Sequence, residues 1–434
     1  MKITLIGGGS YAWGPKLIND LCLTEEIDSL TLCLHDVNHD SAELIRRVGV
    51  KMAEVLDRRF DFEVVDDLAE AVRDAFVVAV TISTGGLKAM AHDLSIPERY
   101  GIFHTVGDTV GPGGWARSLR NIPVFENIGA VIREHAPHAW VFNYSNPMAP
   151  LSATLSYYMP GRVTGCCHSP YEPRPALKEY LGLENDQGIV CETSGVNHFF
   201  WMTKVTVDGQ DVIPLLVDRR DDPNQPTFMA DKSPLFVELW RIYECMPYIG
   251  DRHTCEFLSW AVAPTEDRLR AWSLKRTPIQ ERYEWARQAS EWIDRFLSGQ
   301  ESPKPQKSGE VLSDAVPALA GKTQLVDVLN VINRGQCPQL PMGALVETAG
   351  VINGSGLTPL TASPLPGPVA ALVRTHAQNQ MDLLEAVRAR NWEACVRVLR
   401  NDPVCSHLSP DQVRSLADEF RSAHREFLEP LFEA

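Results

Sequence analysis

No apolar run in this 434-residue sequence approaches the roughly 20 residues that a membrane span needs. A helical membrane protein and a membrane partner are therefore not expected. The opening MKITLIGGGS lacks the apolar core of about 7–15 residues that marks a secretory signal, and it runs straight into glycines. A cytoplasmic protein is expected. Basic excess is also missing. Lys and Arg total 41 against 56 Asp and Glu, a formal charge of −15, and no stretch gathers Lys or Arg into a patch. That argues against a nucleic-acid partner. An anionic ligand would have to be met by local arginines acting against the overall field. Cysteine is scarce: ten are scattered irregularly through the chain, too few for a disulfide framework. Cys22, Cys33, Cys191, Cys245, Cys255, Cys337, Cys395 and Cys405 read as buried thiols. No internal repeat is present, which excludes a solenoid.

What remains is ordinary globular composition, 44% hydrophobic and 22% charged, in a chain long enough for two fused lobes. Residues 2–6, KITLI, are β-branched and apolar. Gly7-Gly8-Gly9-Ser10-Tyr11-Ala12 follows, then a helix-like stretch through Leu21. Gly7, Gly9 and Ala12 fit G-x-G-x-x-G/A between a strand and a helix. Gly7 permits the tight turn and Gly9 lets backbone approach a pyrophosphate, while the helix N-terminus supplies NH groups. The next strand, Thr31–Asp36, ends in an acid 24 residues after Ala12. An acid there suits a ribose diol and repels a 2′-phosphate, so NAD is expected rather than NADP. Gly7, Gly9, Ser10, Asp36 and Thr84 are the expected dinucleotide contacts.

The alternation continues. Residues 62–66 predict a strand and 67–75 a helix. Residues 76–82 predict a buried strand ending in Ser83-Thr84-Gly85-Gly86. Residues 140–144 predict another ending in Ser145-Asn146-Pro147, and 162–167 a shorter one. Buried parallel strands alternating with helices imply a doubly wound α/β sheet, with ligands outside its carboxyl edge. The loops at Gly85-Gly86, Asn146-Pro147 and Cys167-His168 should open on one crevice. The second half is less regular. Strands are expected over 188–206, broken at Gly195–His198, and helices over 234–246, 278–296, 368–399 and 410–432. Residues 218–234 and 299–313 read as exposed polar segments. The expected organisation is an α/β Rossmann-type nucleotide-binding domain over 1–190, fused to an α+β substrate-binding and C-terminal helical domain over 191–434, as in lactate and malate dehydrogenases.

The stretch TGCCHSP, 164–170, poses a question. Two cysteines and a histidine at a strand end could be half a disulfide, a thiol nucleophile, a metal site or core. Several motifs bear on it together: GGGS (7–10), VGDTVGPGGWARSLRNIP (106–123), NYSNP (143–147), GCCH (165–168), GVNHFFW (195–201) and GDRHTCEF (250–257). In this order they resemble the motif set of glycoside hydrolase family 4, an NAD-dependent exception to two-carboxylate glycosidases. The α-galacturonidase branch is the most similar in look.

The resemblance implies a divalent ion, usually Mn²⁺, held by Cys167 and His198. Cys166 stays a buried strand residue. It also implies glycoside cleavage by redox chemistry. Hydride leaves sugar C3 for NAD, a base removes the C2 proton, and the C1 leaving group departs. Water then adds and the hydride returns. His168 is the candidate for protonating the leaving oxygen, and Tyr248 and His253 are candidates for the base. Asp108 sits where the family places an acid that raises the base's basicity. Asn146 would bond sugar hydroxyls, and a uronate carboxylate would meet one of Arg99, Arg117, Arg120 or Arg252. The expected partner is a glycoside or small oligosaccharide, and a homodimer or homotetramer is expected. Competing readings are an α-glucosidase, α-galactosidase or α-glucuronidase of the same family, an NAD-dependent 2-hydroxyacid dehydrogenase, and a non-catalytic NAD sensor.

Overall fold

A computed structural model describes residues 1–167 and 173–432. Six parallel strands form the first half: β1 (Lys2–Ile6), β2 (Ser29–His35), β3 (Arg59–Val64), β4 (Val77–Val80), β5 (Trp140–Asn143) and β6 (Val163–Gly165). They lie in the order β3-β2-β1-β4-β5-β6, the arrangement of a dinucleotide-binding sheet. Every side chain of β4 is buried, as its unbroken Val-Val-Ala-Val run requires of a strand covered on both faces. Strand order reverses between β1 and β4, so the loop after β1 opens at the switch point.

That loop is built around its glycines. Gly7 has φ of +88°, and a Cβ there would come within 2.7 Å of Thr81 Oγ1. A Cβ on Gly9 would meet Ser41 Cβ at 2.7 Å and Asp36 Oδ2 at 3.0 Å. The following helix runs Gly14–Cys22, beginning one residue later than the expected stretch after Ala12, because Ser10 Oγ accepts from Trp13 N at 3.2 Å and the chain first makes a turn.

The second half does not form a separate sheet. It adds β7 (Ile189–Val196), β8 (Phe199–Val207), β9 (Gln210–Asp211), β10 (Met246–Pro247), β11 (Leu325–Ile332), β12 (Leu345–Asn353) and β13 (Gly356–Pro359). Among the described residues these continue the sheet beyond β6 in the order β6-β11-β12-β7-β8-β10, all antiparallel. Strands β11 to β13 are absent from the sequence-based expectation, whose second half was mostly helical. The segment 218–234 begins inside a helix, Ile213–Asp221. The 299–313 segment is not wholly exposed, since Glu310 is buried and Ser308 N donates to Asp20 Oδ1 at 2.9 Å. The eight cysteines expected in the core are buried, and so is Cys166.

Helices Gly367–Arg388, Trp392–Asn401 and Arg425–Phe432 pack back on the long helix Gly111–His135, Pro410–Ala423 packs on helix Gly86–Glu98, and all share one core. Two buried polar contacts tie this layer down. Arg120 forks onto Asp93, which also receives His424 Nε2 at 3.1 Å. His376 Nε2 bonds the Phe257 carbonyl at 3.0 Å. No helix among the described residues is long and apolar enough to cross a membrane.

Burial pulls the His376 pKa down from 6.5 to about 4, with the bond to Phe257 working the other way. The unfolded chain therefore takes up this proton first as pH falls. The contribution is intact above the unfolded value and erodes between about pH 6.5 and 4. Replacing His376 by Gln, which retains a donor, should flatten the pH dependence of stability by about 2 kcal/mol between pH 7.5 and 5. Urea midpoints at the two pH values test this; equal slopes for both proteins would refute it.

Candidate active site

Two cavities lie along the carboxyl edge of the parallel strands. One, of about 660 Å³, is lined by Gly7, Gly9, Ser10, Tyr11, Asp36, Thr81, Thr84, Gly85 and Phe427. Asp36 closes the tip of β2, its Oδ2 accepting from Gly9 N at 3.0 Å and its Oδ1 from Asn38 N at 2.9 Å. Thr84 is held by Asn121 Oδ1 on its NH and by Arg120 Nε on its carbonyl. The cavity thus gathers all five expected dinucleotide contacts. Its lining includes the bare backbone of Gly7 and Gly9, where a Cβ would collide with Thr81 or with Ser41, and such backbone suits close approach of a pyrophosphate.

The second cavity, about 560 Å³, is lined among others by Trp13, Asp108, Asn146, Cys167, His198, Tyr248, Arg252, His253, Arg282 and Trp285. Residues 10–13 divide the two: Ser10 and Tyr11 face the first, Trp13 the second. The three loops expected on one crevice are therefore shared out. Gly85 lies on the first cavity, Asn146 and Cys167 on the second. His168 lies outside the described residues.

Cys167 lies two residues past the end of β6. His198 occupies the two-residue turn between β7 and β8 with φ of +65°, a left-handed conformation uncommon outside glycine. The turn brings His198 Nε2 to 3.2 Å from Cys167 Sγ. Two cis ligands bonded at about 2.0–2.3 Å would be separated by about that distance, so the pair fits a shared metal ion. Among the described residues no cluster of three or more His, Cys, Asp or Glu could hold one. The pair would leave further coordination positions to water and substrate.

Around this pair, the His253 ring packs tilted against His198 with ring centroids 3.8 Å apart, and the Tyr248 ring lies nearly parallel to that of His198 at 6.2 Å. Burial first, and then the charge of His198, drive the His253 pKa well down against the pull of Asp108 and Glu256. His253 is thus neutral near pH 7, and its Nδ1 has no hydrogen-bond partner among the described residues. Burial would raise the Asp108 pKa, but the imidazole of His253 when protonated, the guanidiniums of Arg117 and Arg282, and His198 when protonated work the other way, and the group is held below its ordinary value. The Asp108 loop is pinned from below by Glu256, which accepts from Val106 N at 2.7 Å and Gly107 N at 2.9 Å. Asn146 Oδ1 is buried without a hydrogen-bond partner among the described residues. Glu347, fully buried behind the pair, receives Asn197 Nδ2 at 3.2 Å; burial, then the nearby Cys167, push its pKa up to about 8.

The arginines sort themselves. Arg252 lines the cleft. Arg117 lies behind Asn146, donating to its carbonyl at 2.8 Å and to Ser83 Oγ at 2.9 Å. Arg99 is not brought to the site: it is exposed and pairs with Glu419 on the C-terminal layer. Arg120 is a buried structural partner of Asp93. Sequence reasoning missed Arg282, whose Nη2 donates to the Val106 carbonyl at 2.8 Å and whose Nε is buried without a partner among the described residues. It missed Trp285 as well. Both sit near the start of helix Ile279–Ser298, three residues apart on one face. The charge and aromatic there carry no local motif.

A dinucleotide fold carrying a Cys–His pair beside its nucleotide cavity, in a cleft lined with polar and ionisable groups, defines a class of enzyme. Comparison with known proteins makes it specific. The family 4 glycosyl hydrolase model matches residues 2–183, and the model of that family's C-terminal domain matches 193–405. The chain belongs to glycosyl hydrolase family 4 and is a glycoside hydrolase. It is 31% identical to an α-galacturonidase of Bacillus subtilis (strain 168), over 93% of each chain. It is 30% identical to an α-galacturonidase of Thermoanaerobacter italicus, over 99% of this chain and 97% of that one. Among solved structures, the Bacillus subtilis protein lplD, described as a glucosidase, superposes with a TM-score of 0.86 at 30% identity, over 97% and 99% of the two chains. A 6-phospho-α-glucosidase from gut microorganisms, in complex with NAD and Mn²⁺, shares the fold with a TM-score of 0.82 at 18% identity, over 98% of each chain.

If the pair holds a divalent ion, the thiolate is its only anionic protein ligand among the described residues. Cys167→Ser should weaken Mn²⁺ binding about tenfold or more. Calorimetric titration of metal-stripped protein measures this, and unchanged affinity would remove Cys167 from the ligand set.

Proposed function

We propose that the chain is an α-galacturonidase that uses NAD and a divalent ion, Mn²⁺ by preference, and cleaves its glycoside by transient oxidation and elimination. The carrying observation is adjacency. A glycine-loop cavity and a Cys167–His198 pair face one another across residues 10–13, as redox and Lewis-acid chemistry on one sugar would need. When bound, the dinucleotide supplies reversible hydride acceptance and the ion polarises sugar oxygens. The bound forms of the family 4 relatives and the family motifs support both cofactors.

The chain's own groups have separable tasks. Asn146 Oδ1, without a partner among the described residues, accepts from a sugar hydroxyl. A base removes the proton at C2 while the C1–O bond breaks. Tyr248 and the neutral His253 both face the cleft, and either could serve. Ionised Asp108 favours proton uptake by its neighbours. Arg252 and Arg282 offer guanidinium groups to the uronate carboxylate within a chain of strongly negative net charge. The identity to two α-galacturonidases over nearly the whole chain supports that substrate.

With NAD, Mn²⁺ and a thiol present, 4-nitrophenyl α-galacturonide should be cleaved with a kcat/KM at least about tenfold above that of the α-galactoside. The reverse preference would overturn the uronide reading. In D₂O the released sugar should carry deuterium at C2 and little at C3, without accumulation of NADH. Product with only protium at C2, formed equally fast without NAD, would exclude elimination; NADH formed stoichiometrically would mark a dehydrogenase.

Asp36 should set cofactor choice through its charge at the ribose end of the cavity. The unmodified protein should bind NAD more tightly than NADP, and Asp36→Ala should narrow the gap. Tighter binding of NADP to the unmodified protein in a fluorescence titration would contradict this.

A further inference from the structure

We infer that Thr109 is a positioning residue that links Asp108 to His198 through one hydroxyl and thereby fixes which imidazole nitrogen faces Cys167. The inference rests on the reading of Cys167 and His198 as a metal pair, and proton accounting carries it. Thr109 Oγ1 lies 3.0 Å from Asp108 Oδ1 and 2.9 Å from His198 Nδ1. On the far side of the ring, His198 Nε2 is 3.2 Å from Cys167 Sγ. Thr109 and His198 are both buried, at 6% and 3% exposure, so bulk water does not readily replace either contact.

A threonine hydroxyl has one proton to donate and lone pairs to accept with. A carboxylate can only accept. The arrangement that satisfies both neighbours has the hydroxyl donating to Asp108 and accepting from His198 Nδ1–H. The imidazole proton is then on Nδ1, and Nε2 offers its lone pair toward Cys167. The opposite arrangement, with the hydroxyl donating to Nδ1, would leave the Asp108 contact without a proton. It would also place the imidazole proton on Nε2, in the position where a metal must bind. A histidine ligand commonly has its second nitrogen held by a carboxylate or carbonyl. Here the carboxylate acts at one remove, through a hydroxyl.

The surrounding fold is consistent with a fixed relay. Glu256 anchors the backbone of Val106 and Gly107 immediately before Asp108. Thr109 stands two residues before the long helix Gly111–His135. His198 is constrained from the other side by its left-handed turn and by the His253 ring. Asp108 thus has a role beyond the one the family resemblance implied: it acts on the metal ligand through Thr109.

The test uses full-length, metal-stripped protein and two readouts. Nitrogen-15 NMR of the imidazoles in unmodified protein should show His198 protonated on Nδ1 when neutral. In Thr109→Val, nearly isosteric but without the hydroxyl, the two tautomers should mix, and Mn²⁺ affinity should fall about 10- to 100-fold by electron paramagnetic resonance titration. Thr109→Ser should restore both the tautomer and most of the affinity. His198 protonated on Nε2 in the unmodified protein would overturn the inference even if Thr109→Val failed to fold. Weakened Mn²⁺ binding in Thr109→Val with an unchanged tautomer would also overturn it, since it would leave Thr109 with a packing role. If the unmodified protein takes up no Mn²⁺, the metal reading fails, and the tautomer measurement still decides the role of Thr109.

Discussion

The cleft depends on one approach: Cys167 Sγ lies 3.2 Å from His198 Nε2, across 31 residues of sequence and four strands of sheet. Cys167 sits just past the end of β6 and His198 at the turn after β7, and these strands are not neighbours. Strands β11 and β12, from more than a hundred residues further on, lie between them, pairing Asn330 with Gly165 and Glu347 with Gly195. A slip of one residue in either register would turn the inserted side chains to the opposite face and move the turn. The buried Asn330 and Glu347 therefore sit where the register is read, behind the pair they help to place.

The same geometry concentrates charge that the composition hides. The chain carries a net −15, yet Arg117, Arg252 and Arg282 gather around Asp108 and the cleft, with Lys232 also on its lining. Fields are focused where low-dielectric walls enclose them. Asp108 is held ionised although burial opposes it, while His253 and His376 are kept neutral by burial. Each group's protonation state is set by which effect is larger at its position, and none follows from residue type alone. The nucleotide cavity and the cleft stay distinct because residues 10–13 form a turn between them before the helix begins. The late helix start, a small departure from the motif, gives each cavity its own wall.

Much of the first half was legible in the sequence because its signals are local. A glycine loop between a β-branched run and a helix, followed by an acid at a strand end, imposes steric and electrostatic requirements that few other residues satisfy. Unbroken apolar strands mark a parallel sheet covered on both faces. From these the doubly wound parallel sheet, the nucleotide cavity and the candidates Gly7, Gly9, Ser10, Asp36 and Thr84 could be anticipated. Motif order carried Cys167, His198, Asp108, Asn146, Tyr248 and His253 into one expected site. Strands β11 to β13 were not legible, because their alternation of buried and exposed positions is imperfect and their partners lie far away in sequence. Nor were the roles of the arginines. Arg99, Arg117, Arg120 and Arg252 look alike along the chain, and only packing sends one to the surface, one behind Asn146, one into a buried ion pair and one into the cleft.

By itself, then, the sequence determined the nucleotide half, the family and the chemical types at the site, since these rest on short-range sterics and motif order. Tertiary structure alone decided that β11 and β12 divide β6 from β7, that Arg282 and Trp285 reach the cleft, and that one Thr109 hydroxyl meets both Asp108 and His198. The physical reason is that hydrogen bonds and burial act over a few ångströms in space. Residues 89 positions apart, such as Thr109 and His198, acquire such a contact only when the sheet between them has closed.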